Sequence, residues 1–324
     1  MKQTDRIRMP LVVIAGLLLC AAGVFWPATV PRRSCTIAVT VWPGAEGLLM
    51  TREMENIQKT QVNFMELSWP GAVMGAFQKR VADAAVVSLD ELLRLEAGGA
   101  QPQIVLVLGV SRGADAILAR QGLSSVKELR GKRVGVEVRS SGEYLLACAL
   151  QLHGMTLKDV EVVPLNLAET EAAYRERVLD AVVTTDPWRA RLLGRGAVML
   201  HDSSAMGLEM SRVLIVRREA LAAWRRELQE IVAACLQHPP GENSGSLDEM
   251  LRREDLDPAQ WAKALQAVEI PDAAGNRRLL SAGAEGLATV LLKMQSRMRE
   301  QGLLTREIEV ESLLNDELVK EGAR

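Results

Sequence analysis

The chain has 324 residues, a formal net charge of −2, 48% apolar residues and 25% charged residues. Its length exceeds that of one typical domain, so two packed lobes are expected, each with its own core. Acidic and basic residues are interleaved, which excludes the one-signed basic surface of a nucleic-acid-binding protein.

At the N-terminus Lys2, Arg6 and Arg8 precede an uncharged apolar run from Leu11 to Trp26, with Arg32 and Arg33 beyond it. A basic start, a short apolar run and small residues (Ala21, Ala22, Gly23) describe a secretory signal peptide. Residues 1–30 are therefore read as a signal peptide or an N-terminal membrane anchor. The rest of the chain is placed in the periplasm or another extracytoplasmic space, with a tether to the inner membrane as the alternative. Leu19 precedes Cys20 where bacterial lipidation wants a small residue.

From residue 36 onward short β-rich runs alternate with amphipathic stretches. Strands are expected at 36–41, 62–67, 84–87, 104–110, 134–138, 160–164, 181–184 and 198–201, with one more at 213–216. Helices are expected at 44–57, 71–80, 89–97, 142–153, 168–177 and 187–193, and again over most of the chain beyond 216. Strands spaced by helices need crossover connections, which predicts an α/β fold with mostly parallel sheets covered on both faces.

The sequence also repeats. Residues 76–88 and 173–185 align at a constant offset of 97, with Arg80, Val81, Asp83 and Ala84 matching Arg177, Val178, Asp180 and Ala181. Each copy ends a helix, places an Asp before a short buried strand, and puts a hydroxyl residue at that strand's end. Two copies at equal phase predict two similar lobes.

Motifs in chain order are Trp42-Pro43-Gly44, Asp83 through Glu91, Ser111 through Ile117, Leu129 through Glu137, and Asp180 through Pro187. In this register they resemble the nitrate/taurine/alkanesulfonate/thiamine-precursor group of solute-binding proteins of ABC transporters, from Thr36 to about Arg217. The resemblance implies a two-lobed Venus-flytrap fold. Lobe I would hold residues 36–108 and 204–324, and lobe II residues 109–203. It further implies a monomer that captures a small organic or anionic solute and passes it to a membrane permease. The chain departs from that pattern in carrying Arg80 and Arg177 where a glycine is usual, and in Ala45-Glu46-Gly47 after the first motif.

Ligands of open parallel sheets bind beyond the carboxyl ends of the strands. That rule selects Trp42, Gly44, Ser68, Trp69, Ser88, Ser111, Ser140, Ser141, Thr185, Asp186 and Trp188 as candidate ligand-binding residues. Ser140, Ser141 and Gly142 open a helix, whose free amides suit an anion, although Ser140 with Glu143 also reads as a capping box. Glu46, Glu143 and Asp186 around one cleft would instead favour a cationic or zwitterionic ligand, and the two readings stay open. Aromatic residues are only 3% of the chain, so tryptophans at strand ends are expected to face a cleft.

Gly109-Val-Ser111-Arg-Gly113 fits the G-x-S-x-G pattern of α/β-hydrolases, but no helix of useful length follows Ser111 and no oxyanion-hole motif precedes it. No phosphate-binding glycine motif and no metal-ligand spacing is present, so neither a cofactor nor a metal is expected. Cys35, Cys148 and Cys235 show no metal or redox spacing. A membrane-anchored sensing module is the alternative function, and a serine hydrolase using Ser111 a further one.

Overall fold

The computed structural model describes residues 34–241, 247–248, 251–252, 257–281, 283 and 286–321. The expected signal peptide or anchor lies outside them. In chain order the strands are β1 (Cys35–Thr40), β2 (Val62–Leu67), β3 (Ala84–Ser88), β4 (Pro102–Ser111), β5 (Asp115–Ala119), β6 (Arg133–Val136), β7 (Glu161–Pro164), β8 (Ala181–Thr185), β9 (Val198–Asp202), β10 (Ser211–Arg217) and β11 (Val268–Glu269). Helices that position the site are α1 (Pro70–Gln78), α2 (Leu89–Ala97), α3 (Ser141–Gln151), α4 (Thr170–Arg175) and α5 (Trp188–Gly194). Among the described residues no helix is long and apolar enough to cross a membrane.

Local chemistry sets these boundaries. Every residue of β3 and β8 is buried, which matches their uninterrupted runs of Ala, Val and Thr. Pro70 opens α1 at a position where its missing N–H costs nothing. Ser88 caps α2, and Glu91 returns a carboxylate oxygen to the Ser88 amide at 2.9 Å.

The strands form two sheets, ordered β11-β4-β10-β3-β1-β2 and β7-β6-β8-β5-β9. Both are mixed rather than mostly parallel. β1 runs parallel to β2 and β3, and β6 parallel to β7 and β8, whereas β10 and β5 run antiparallel to both of their neighbours. The departure from the sequence expectation centres on β5. No strand is expected between 110 and 134, yet Asp115–Ala119 is a central strand paired on both sides. The single helix expected over 44–57 is instead a succession of short helical turns ending at Gln58.

The 97-residue offset reaches far beyond the thirteen aligned positions. β1, β2 and β3 superpose in sequence on β6, β7 and β8, β4 on β9, and β5 on β10. Side-chain geometry repeats with them. Asp83 Oδ2 accepts the Thr36 amide at 3.1 Å, and Asp180 Oδ2 accepts the Arg133 amide at 2.9 Å. Arg217 lies 4.3 Å above the Phe77 ring, and Arg120 lies 4.6 Å above the Tyr174 ring. Each of these arginines also donates from Nε to a carbonyl, of Ala82 and Leu179 respectively.

The fifth strand of each copy is exchanged. β5 belongs by chain order to the first copy but pairs with β8 of the second, and β10 of the second copy pairs with β3 of the first. The chain therefore passes between the sheets twice, once from β4 to β5 and once from β9 to β10.

Candidate functional site

The two exchanged strands start at the same place, the floor of a cleft between the sheets. In register Arg212 lies opposite Ser88, and Asp115 opposite Thr185. Arg212 Nη2 stands 3.9 Å from Asp115 Oδ1, across the cleft. The Arg212 guanidinium also sits 5.1 Å from the centroid of the Trp42 ring, a cation–π arrangement in a desolvated setting. The inner cavity is small, about 20 Å³ or room for roughly one water, and is lined by Pro70, Asp115, Glu137, Ser140, Ser141, Gly142, Leu167, Val183, Thr184, Thr185 and Arg212.

Glu137 joins this cavity to a larger outer cleft of about 310 Å³ lined by Trp69, Gly71, Val138, Pro164, Leu165, Asn166 and Glu169. Its Oε1 accepts the amide of Gly71 from α1 at 3.2 Å, a contact that links the two sheets' lobes at the mouth. Burial raises the proton affinity of the Glu137 carboxyl, and the amides of Gly71 and Leu167 with the Arg212 charge oppose that rise only in part. Three buried polar atoms of the cavity lining have no hydrogen-bond partner, Glu137 Oε2, Thr184 Oγ1 and Thr185 Oγ1, and Trp42 Nε1 beneath Arg212 is open as well. Buried polar groups are ordinarily paired, so a cluster of open ones marks a place built to meet something else.

The candidates from the sequence divide into groups. Ser140, Ser141 and Thr185 line the inner cavity, and Trp69 stands at the outer rim with 40% of its surface exposed. Ser140 already accepts the Gly142 amide and donates to the Glu137 carbonyl, so its hydroxyl caps α3. Glu143 reaches back to the Arg139 amide rather than to Ser140, and pairs with Arg94 at 3.0 Å.

The remaining candidates lie elsewhere. Trp42 is 2% exposed, its ring packed beneath Arg212. Gly44 lies under that ring, where a Cβ would come within 2.1 Å of it. Ser88 donates to Asp90 at 2.7 Å. Ser111 shares a 2.7 Å hydrogen bond with Ser203 and accepts the Asp115 amide, at the crossing between the sheets. Asp186 is held by Arg189 at 2.8 Å and by the Ala190 amide. Trp188 opens α5 half-buried, and Ser68 is exposed before α1; neither lines the two clefts.

The acids expected around one cleft are also placed differently. Glu46 accepts from the Gly241 amide and from Trp261 Nε1 at 2.8 Å. With Asp186 and Glu143 engaged as described, the carboxylates that face the cavity are Asp115 and Glu137. Sequence reasoning missed these two, together with Arg212 and Thr184. The signal that leads to Arg212 is the repeat itself, because it is the residue 97 positions after Asp115. Among the described residues no group of His, Cys, Asp or Glu is arranged to hold a metal ion.

Solved structures share this architecture. The alkanesulfonate-binding protein SsuA from Xanthomonas axonopodis pv. citri superposes with a TM-score of 0.71 at 19% identity, covering 89% of this chain and 97% of that one. The periplasmic nitrate-binding protein NrtA from Synechocystis PCC 6803 gives a TM-score of 0.70 at 10% identity, over 90% and 88%. These likenesses assign the two-lobed fold of periplasmic binding proteins. A protein of Brucella abortus (strain 2308), named as an inferred binding protein, is 35% identical over 68 residues. That match spans about a fifth of the relative's length, 21% of each chain. Residues 28–238 match the NMT1-like family along more than half of the chain. The chain therefore belongs to the NMT1-like family.

Proposed function

We propose that this protein captures a small solute in the cleft between its two lobes and presents it to the membrane permease of an ABC importer. The observation that carries the reading is the cavity floor, where the unpaired Glu137, Thr184 and Thr185 of one lobe face Arg212 and Pro70 of the other beside Asp115. Its neighbours in fold are named as binding proteins and as the ligand-binding component of an import system. In this reading lobe I comprises residues 36–108 and 204–324, lobe II residues 109–203, and the lobes close over the solute about the two crossings. The setting is periplasmic or otherwise extracytoplasmic, the protein acts as a monomer, and Ser140, Ser141, Thr185 and Trp69 contact the solute.

The same reading makes the protein a carrier without chemistry of its own. The Ser111 hydroxyl, which a hydrolase would need free beside a base, is engaged by Ser203 and the Asp115 amide. A fluorophosphonate probe should leave it unlabelled, and labelling lost in Ser111→Ala would restore the hydrolase.

A thermal-shift screen of small solutes tests the capture. A ligand at a hundredfold its dissociation constant stabilises by about 2.7 kcal/mol. Thr185→Val should reduce that shift yet cost the unliganded protein no more than about 1 kcal/mol, because its hydroxyl has no partner to lose. A full shift in Thr185→Val would move the ligand out of the inner cavity.

A further inference from the structure

We infer that the cavity selects a solute carrying a protonated amine or an amidinium group, and that Glu137 is the residue that seats it. The inference rests on the solute-capturing reading above and names the chemistry of what is captured.

Glu137 is 7% exposed, and it lines both the inner cavity and the outer cleft. One carboxylate oxygen takes the Gly71 amide, while Oε2 makes no full hydrogen bond, the Leu167 amide acting on the carboxylate only as a nearby dipole. The hydroxyls of Thr184 and Thr185, also without partners, line the same cavity, as does the Asp115 carboxylate. Acceptors thus outnumber fixed donors around this space, and a hydroxyl can accept as readily as it donates.

The cavity lining carries one cation against two carboxylates. That cation, Arg212, is stacked on Trp42, lies 3.9 Å from Asp115, and acts electrostatically on Glu137 and on Glu91 behind it. An anionic solute would have to draw Arg212 from these carboxylates and then lie against them. The start of α3, the other feature suited to an anion, has Glu143 in its first turn and the Ser140 hydroxyl as its cap. An ammonium or amidinium group instead gives Glu137 Oε2 a charge-assisted hydrogen bond and offsets the cost of burying its charge. Trp69 at the rim adds an aromatic face for the same cation.

The test is isothermal titration calorimetry on the full chain with two probe sets at millimolar concentration: ethanolamine, putrescine and benzamidine, against ethanesulfonate and nitrate. At least one amine or amidine is expected to bind and the anions are not. Glu137→Gln should weaken that binding about tenfold or more while keeping the unliganded melting temperature, tenfold being the scale on which a charge-assisted bond is read. If Glu137→Gln does not fold, Thr185→Val serves, with a several-fold loss expected. Binding of ethanesulfonate or nitrate, or an amine bound equally well by Glu137→Gln, overturns the inference and leaves solute capture standing. Silence from both probe sets overturns it as well, and a silent thermal-shift panel would then remove solute capture itself.

Discussion

Asp115 and Arg212 stand 97 positions apart in the chain and 3.9 Å apart in space. They are the same position of the two copies of the repeat, the first residue of β5 and the second of β10, and each has been carried into the other copy's sheet. Both side chains are almost fully buried. A buried charge that loses its partner is far more costly than a pair removed together. Arg212→Met is therefore expected to destabilise by about 3–5 kcal/mol, the range for breaking a buried pair. Asp115→Asn combined with Arg212→Met should cost less than the sum of the single changes. Urea unfolding of the four proteins gives the coupling, and strict additivity would mean the pair does not interact.

Arg80 and Arg177 have φ of 61° and 60°, in the left-handed region that disfavours side chains with a Cβ. The structure thus keeps the glycine-type backbone where the sequence departs from glycine. Arg177→Gly is expected to stabilise by about 1 kcal/mol. Arg80→Gly should gain less, since Arg80 pairs on the surface with Glu219, a contact worth about 0–1 kcal/mol. Melting temperatures of the two variants rank them, and a loss of stability in both would remove backbone strain as the explanation.

Gly44 packs directly against the Trp42 ring. An added methyl would lie 2.1 Å from the ring, so the close-packed indole or the backbone must shift. Gly44→Ala is expected to cost about 1–3 kcal/mol, as overpacking does. It should also alter tryptophan fluorescence, because the ring must move from beneath Arg212. Unchanged stability and emission would show that the ring has room to move.

Glu91 gives the stability curve a signature in pH. Burial, with the Asp90 charge beside it, pushes its carboxyl up from 4.5 to about 7. Between these values the folded state binds the proton more tightly than the unfolded chain. Stability from this group is therefore full below pH 4.5, falls as pH rises towards 7, and levels off above. Glu91→Gln has no such proton to release, so relative to wild type it should gain across that window. Urea midpoints measured from pH 4.5 to 8 check this, and parallel curves for the two proteins would sink it.

Much of the fold was legible because a buried strand writes itself as a short apolar run. β3 and β8, wholly buried, were read almost to the residue. β5 was not, since Asp-Ala-Ile-Leu-Ala has no alternation and favours helix by composition. Its conformation comes from β8 and β9 on either side, a tertiary effect that local propensity does not contain. The repeat was visible over thirteen residues and persists elsewhere as geometry, with Phe77 replaced by Tyr174 beneath an equivalent arginine. Of the strand-end hydroxyls, Ser140, Ser141 and Thr185 line the inner cavity while Ser68, Ser88 and Ser111 do not, and Arg212 was hidden as a charge just ahead of the apolar run expected as a strand. Trp42 shows why the cleft rule is ambiguous for rings: at a strand end it lies buried beneath Arg212, a side chain that lines the cavity.

The exchanged strands have a consequence for how the molecule could be taken apart. A fragment ending after β5 would carry β1 to β4 but lack the strand that joins β3 to β4, because β10 fills that place. The complementary fragment, from β6 onward, would lack the strand between β8 and β9. Each half of the chain thus lacks one central strand of its own sheet, and the two are expected to complete their cores only in each other's presence.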